Sequence, residues 1–102
     1  MFRITVDERP AGVILRIEGR FVGHFAEEAT RSVLRRNLPA ELVVDLSEVT
    51  FADAAGEEAL RLLRSMGAKF VAESSYSLHL CEHLHLPLLT VLARKRGNQF
   101  GD

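Results

Sequence analysis

The sequence has a single cysteine, Cys81, so no disulfide can close within the chain, as expected in a reducing compartment. It has no excess of either charge: 13 Lys+Arg against 14 Asp+Glu leave a formal −1, and the one run of three basic residues is Arg94-Lys95-Arg96. That balance lacks the basic footprint of a nucleic-acid binder. No apolar run approaches the ~18–20 residues of a bilayer span. Residues Met1 to Thr5 alternate and soon meet Asp7 and Glu8, unlike a signal peptide. No Walker-type loop, dinucleotide fingerprint, G-x-S-x-G or H-E-x-x-H is present. Internal repeats, low-complexity stretches and linkers are missing too. The expectation is a cytoplasmic domain with no direct nucleic-acid partner, no membrane insertion and no catalytic residues.

What is present is globular. Hydrophobic residues make up 47% and charged residues 26%, which argues against disorder, and 102 residues support one core, so residues 1–102 read as a single domain. Phe2, Ile4 and Val6 alternate with polar neighbours as a half-buried strand does. Arg9-Pro10-Ala11-Gly12 is turn chemistry, and Val13 to Glu18 is a second strand, so the two form an antiparallel hairpin.

After Gly19 the period changes to that of a helix. Phe25, Ala26, Ala29 and Val33 form its apolar stripe, with Glu27, Glu28, Arg31 and Arg35 opposite, and Asn37 and Pro39 end it. Leu42-Val43-Val44 with Leu46 lacks clean alternation, which predicts a strand covered on both faces. Asp53 can cap a helix from Ala54 to Met66, with Ala59, Leu62, Leu63 and Met66 as its buried stripe, Glu57 and Arg61 as an i,i+4 pair, and Gly67 as a left-handed stop. Ala68 to Ala72 reads as a strand. Ser74 or Ser75 caps a further helix on which Tyr76, Leu80 and Leu84 align. Pro87 suits the first position of a last helix with Leu88, Leu89, Val91 and Leu92 on its apolar side and Gly97 as its stop; a strand from Leu88 to Leu92 is the rival reading. The order predicts an α/β fold, a mixed sheet of about four strands with helices mainly on one face and right-handed crossovers.

The segment Val43-Val44-Asp45-Leu46-Ser47-Glu48-Val49-Thr50-Phe51-Ala52-Asp53-Ala54-Ala55-Gly56 resembles the signature of STAS domains, the anti-sigma-factor-antagonist module. In that family a strand ending in an acidic or amide residue plus Leu leads through a loop to Asp-Ser-Ser-Gly or Asp-Thr-Ser-Gly. The hairpin, first helix and following strand match the family's order over essentially the whole chain. The resemblance implies a non-enzymatic protein-interaction domain whose partner is an anti-sigma factor or kinase, and whose second hydroxyl residue in the motif takes a phosphate. At a helix N-terminus, free backbone amides and the helix dipole stabilise such a phosphate. Here that position is Ala55 and its neighbour is Ala54; neither has a hydroxyl, so the usual phosphoswitch is impossible. Glu57 and Glu58 add negative charge to the first turn, where they would either oppose a phosphate or weakly imitate one.

The surface expected to meet a partner is the approach loop Ser47 to Ala52 with the turn Asp53 to Glu58. Asp53 would fix the backbone, Gly56 would permit close approach, and Glu57 and Glu58 would select a basic patch. Phe51 would be an apolar anchor or part of the core. Ser47 and Thr50 are conceivable substitute phosphoacceptors, or loop hydroxyls bonded to local backbone. STAS-like domains also occur as accessory subunits of lipid or anion transport systems, and small-molecule sensing is a third reading; a homodimer is one assembly the sequence allows.

Other constellations are weaker. Asp45 and Asp53 lack a third acid for a metal. His79 and His83 share a helix face at a spacing suited to Zn²⁺, yet Cys81 points elsewhere and no third ligand follows. Cys81 and His85 could pair as nucleophile and base, but a mid-helix cysteine between leucines reads as a small buried hydrophobe. No metal and no cofactor are expected.

Overall fold

In the computed structural model, which describes residues 2–35 and 41–89, the elements run β1 (Phe2–Arg9), β2 (Gly12–Phe21), α1 (Gly23–Leu34), β3 (Glu41–Ala52), α2 (Ala54–Ser65), β4 (Lys69–Val71) and α3 (Ser75–Leu84). The turn at Pro10 and Ala11 folds β1 back antiparallel on β2, in register from Phe2 opposite Gly19 to Arg9 opposite Gly12. Helices α1 and α2 are crossovers, so β3 lies parallel to β2 and β4 parallel to β3. The sheet order is β1-β2-β3-β4. This is the α/β, mixed four-stranded architecture that the pattern of periods predicts.

The core lies on one side of the sheet. Val13, Leu15 and Ile17 of β2, Leu42, Val44 and Leu46 of β3 and Phe70 of β4 are buried with Ala26, Ala29 and Val33 of α1, Leu60 and Leu63 of α2, and Leu80 and Leu84 of α3. Each such large aliphatic side chain stabilises the fold by about 1.5–3 kcal/mol relative to exposure. The other side carries the ion pairs Arg3–Glu18 at 3.3 Å and Arg16–Asp45 at 3.4 Å. β3 is therefore covered on one face only, not on both as its composition suggests. Val43 is half-buried on the open face between Ile14 and Lys69 of the neighbouring strands, which supply the apolar contact expected of a second helical layer.

β3 is also longer than expected. Ser47 to Ala52, predicted as a loop, continues the strand to Ala52. Against Arg16 to Glu18 of β2, β3 advances from Asp45 to Glu48, and against Gly19 to Arg20 it advances from Val49 to Phe51. Each step places one extra residue in β3, a bulge. The buried positions accordingly change from strict alternation at Leu42, Val44 and Leu46 to a spacing of three at Val49 and Ala52. The Asp45 carboxylate takes the Ser47 N–H at 2.9 Å beside the first bulge.

Three packing expectations change. Phe25 is exposed rather than buried with the α1 stripe: it lies over the edge strand, stacked on the half-buried Phe2 with ring centroids 4.5 Å apart. Leu62 and Met66 are exposed, while Gly56, Ala59, Leu60 and Leu63 face the sheet, because α2 meets the sheet at Gly56 and its buried stripe follows from there. Residues 87–89 are extended where a helix is expected: Phe70 N–H donates to Pro87 O at 2.9 Å, Leu89 N–H donates to Phe70 O at 2.8 Å, and Leu88 is bridged in parallel to Phe70. The helix stop assigned to Asn37 and Pro39, and the segment with Val91, Leu92, Arg94 to Arg96 and Gly97, lie outside the described residues.

Local chemistry sets the helix ends. Gly67, at φ 92°, ends α2: its N–H donates to Arg64 O and the Ala68 N–H donates to Leu63 O, the paired bonds of a Schellman motif. Of the two candidate serines, Ser74 caps α3 and forms a reciprocal box with Ser77.

Candidate functional site

The turn between β3 and α2 is built around Asp53. Its Oδ1 accepts from Gly56 N–H at 2.9 Å, which satisfies an unpaired amide of the first turn of α2. The same carboxylate accepts from Gly23 N–H, at 3.2 Å to Oδ2 and 3.3 Å to Oδ1. Gly23 opens α1, whose own cap residue, Val22, makes no side-chain bond. One carboxylate thus lies at the N-termini of two helices, where both dipoles favour its charge. Behind it, the Ala52 N–H donates to the Tyr76 hydroxyl at 2.8 Å and so ties the end of β3 to α3.

Gly56 lies inside this arrangement. It is buried, and a Cβ on it would come within 2.0 Å of the Phe21 carbonyl oxygen. A glycine is therefore needed here for the close approach between α2 and the end of β2.

The remaining candidate residues separate into two surfaces. Ala55, in the first turn of α2, lines an open groove of about 790 Å³ between α1 and α2, together with Glu58. The groove also takes Leu34, which is 57% exposed, and Leu62, 42% exposed, between Arg31 and Arg61. Arg61 is held by Glu58 at 3.1 Å and lies 3.9 Å from Glu57. Arg64 donates to Leu84 O at 2.8 Å and secures α2 against the end of α3. Ala54 is exposed and Glu57 half-buried on the same turn.

Ser47 and Thr50 line a different depression, of about 500 Å³, on the side of the sheet away from the helices, with Arg16, Glu18, Asp45, Glu48 and Glu73. The Ser47 Oγ is buried, out of reach of a modifying enzyme in this conformation, whereas Thr50 is exposed. Phe51 belongs to neither surface. It is exposed at the rim of the sheet, with the Arg20 guanidinium 5.1 Å from its ring centroid.

The α1 side of the groove lies outside the surface expected from Ser47 to Glu58. Leu34 lies one position past Val33, the end of the α1 stripe, and a large apolar residue displaced from a stripe is the signal that could have found it. Leu62 gives no such signal, because its spacing with Ala59, Leu63 and Met66 places it on the expected stripe of α2. The histidine and cysteine candidates do not assemble into a site. The His79 and His83 rings are parallel, with centroids 6.2 Å apart, and among the described residues no group of three metal-ligating side chains occurs. Burial pushes the Cys81 thiol up to about 11, the opposite of what a nucleophile needs. Among the described residues no helix is long and apolar enough to cross a membrane.

No protein-family model matches the chain, and no curated protein matches it. Solved structures do. The anti-sigma factor antagonist SpoIIAA in its unphosphorylated form is similar at a TM-score of 0.57 and 13% identity, over 100% of this chain and 88% of that one. An uncharacterised protein of the DUF3478 family with a SpoIIAA-like fold, from Shewanella loihica, is similar at a TM-score of 0.52 and 9% identity, over 99% and 85%. A structure described as Mglu is similar at a TM-score of 0.54 and 21% identity; it matches 69% of this chain, which spans only 19% of that protein's length. The fold is therefore STAS-like, of the SpoIIAA kind.

Proposed function

We propose that this chain is a non-enzymatic interaction module that holds a protein partner in the α1–α2 groove, with no phosphate switch at residue 55. The single observation that carries the reading is the position of Ala55: its methyl group lines the groove beside two exposed leucines, Leu34 and Leu62. An added phosphate there would sit among Glu58, Arg31 and Arg61, where it would change docking; alanine leaves the groove permanently in one charge state. Exposed leucines in a charged rim suit an apolar anchor from a partner, with ion pairs fixing orientation. An anti-sigma factor is the partner class suggested by the likeness to the anti-sigma factor antagonist SpoIIAA.

The experiment is capture with the purified chain as bait, identification of the partner, and titration of that partner against variants. Leu62→Asp should abolish binding while leaving stability within about 0.5 kcal/mol, because Leu62 contributes little to the core. Thr50→Ala should bind like the parent. Incubation with ATP and the captured partner should leave the intact mass unchanged. Full affinity in Leu62→Asp, or a stoichiometric phosphate on the parent chain, would reject the reading.

A further inference from the structure

β1 is an edge strand. It pairs with β2 on one side and, among the described residues, with nothing on the other. A free edge presents a row of backbone donors and acceptors that a further strand can satisfy. Two observations bear on which strand this is. The first is incomplete cover on the helix side. Phe2, Ile4 and Val6 are only half-buried, whereas Ile17 and Leu15, opposite Ile4 and Val6, are fully buried. Phe25, stacked on Phe2, is itself exposed. An apolar strip therefore runs along the edge, packed against the core on one side and, among the described residues, uncovered on its outer side. The second is the order of side chains on the opposite face, Arg3, Thr5 and Asp7, which places opposite charges symmetrically about Thr5.

We propose that the strand is β1 of a second copy, antiparallel, with the two-fold axis through Thr5, so that two four-stranded sheets join into one. The register follows by elimination. If the axis fell between two residues, apolar side chains of one copy would share a face with charged ones of the other. If it passed through Val6, Arg3 would oppose Arg9 and Ile4 would oppose Glu8. If it passed through Ile4, Phe2 would oppose Val6 and Ile4 would oppose Ile4, but Arg3 would oppose Thr5, so no pair of opposite charges would form across the axis among the described residues. Through Thr5, Arg3 meets Asp7 on both sides of the axis, Ile4 meets Val6 on both sides, and Thr5 meets Thr5; only the outer pair, Phe2 with Glu8, is mixed. Within each chain Arg3 is 3.3 Å from Glu18 and Asp7 2.8 Å from Arg9. Across the axis the charges Glu18, Arg3, Asp7 and Arg9 then alternate in sign. The contact shares no residue with the α1–α2 groove, so it stands or falls independently of the partner reading.

Sedimentation or light scattering on the full chain should give twice the 11.4 kDa protomer mass at micromolar concentration. Thr5→Cys brings two thiols together at the axis, at a separation that either class of antiparallel pair allows a disulfide to span, and mild oxidation should yield a covalent dimer. Cys81 is buried and does not compete. Arg3→Cys should not cross-link alone but should do so when mixed with Asp7→Cys. Arg3→Asp should weaken the dimer at least tenfold, and adding Asp7→Arg should restore it, although the exchanged acid then faces Glu18 in its own chain. That restoration distinguishes a contact between copies from one within a chain. A chain that stays monomeric at high concentration, or a dimer that resists Thr5→Cys cross-linking, would overturn the proposal.

Discussion

Asp53 and Gly23 are thirty residues apart in sequence and joined by hydrogen bonds of 3.2 and 3.3 Å, which makes the cap of α2 the cap of α1 as well. The two helices that frame the groove therefore share one anchor. Its loss should be felt by both.

Asp53→Ala should destabilise the fold by about 1–3 kcal/mol, the combined cost of a lost cap and of the second bond to Gly23. Asp53→Asn should fall between the parent and alanine: its one acceptor oxygen can keep Gly56, but its amide group would face the Gly23 N–H. Urea denaturation checks both values, and an alanine variant as stable as the parent would show that water replaces the carboxylate.

Gly56→Ala should cost about 1–3 kcal/mol or more, because the added methyl meets a backbone carbonyl that cannot rotate away. Gly67→Ala is the informative contrast. Nothing lies within 4 Å of a Cβ there, and only its φ of 92° opposes a side chain, so about 1–2 kcal/mol is expected from backbone strain alone. Thermal melts of the pair separate crowding from strain.

Tyr76→Phe removes the acceptor for the Ala52 N–H at the buried end of β3. A loss of about 1–3 kcal/mol is expected, with faster hydrogen exchange concentrated at the Ala52 amide. Unchanged protection at that amide would mean that the hydroxyl contributes nothing to the turn.

Cys81 should be inert to thiol reagents at neutral pH in the folded chain and react at once in denaturant, because it is 2% exposed and burial pushes its thiol from 9.0 to about 11. The sign of the linked stability follows from that direction. Below pH 9 the thiol is protonated in both states and adds no pH dependence; as pH rises through about 11 the unfolded chain ionises first, and stability falls. A reagent such as Ellman's, followed in time with and without urea, measures the reactivity, and urea denaturation at rising pH measures the loss of stability.

The parts of the fold that were legible in the sequence are those in which the cause is local. Asp53 as a cap, Gly67 as a left-handed stop, Ser74 as one of two candidate caps and the hairpin turn at Pro10 all follow from what a side chain does to its own backbone within a few residues. The candidate site was legible as a stretch of chain but not as a surface. The motif from Ser47 to Glu58 reads as one continuous patch, yet the sheet puts Ser47 and Thr50 on its open side and Ala55 and Glu58 in the helical groove. The bulges in β3 were missed because a bulge is defined by the neighbouring strand, and the spacing of Leu46, Val49 and Ala52 looks like a loop without it.

The sequence by itself determined where most helices and strands fall, which residues cap α2 and α3, and that residue 55 carries no oxygen, since periodicity, capping and side-chain chemistry are properties of short segments. Only the tertiary structure decided that Leu62 and Met66 face outward while Leu60 is buried, that Gly56 is needed against Phe21, and that Asp53 holds two helices together. Those outcomes depend on the rotation of α2 against the sheet, and that rotation is set by contacts between residues far apart in the chain.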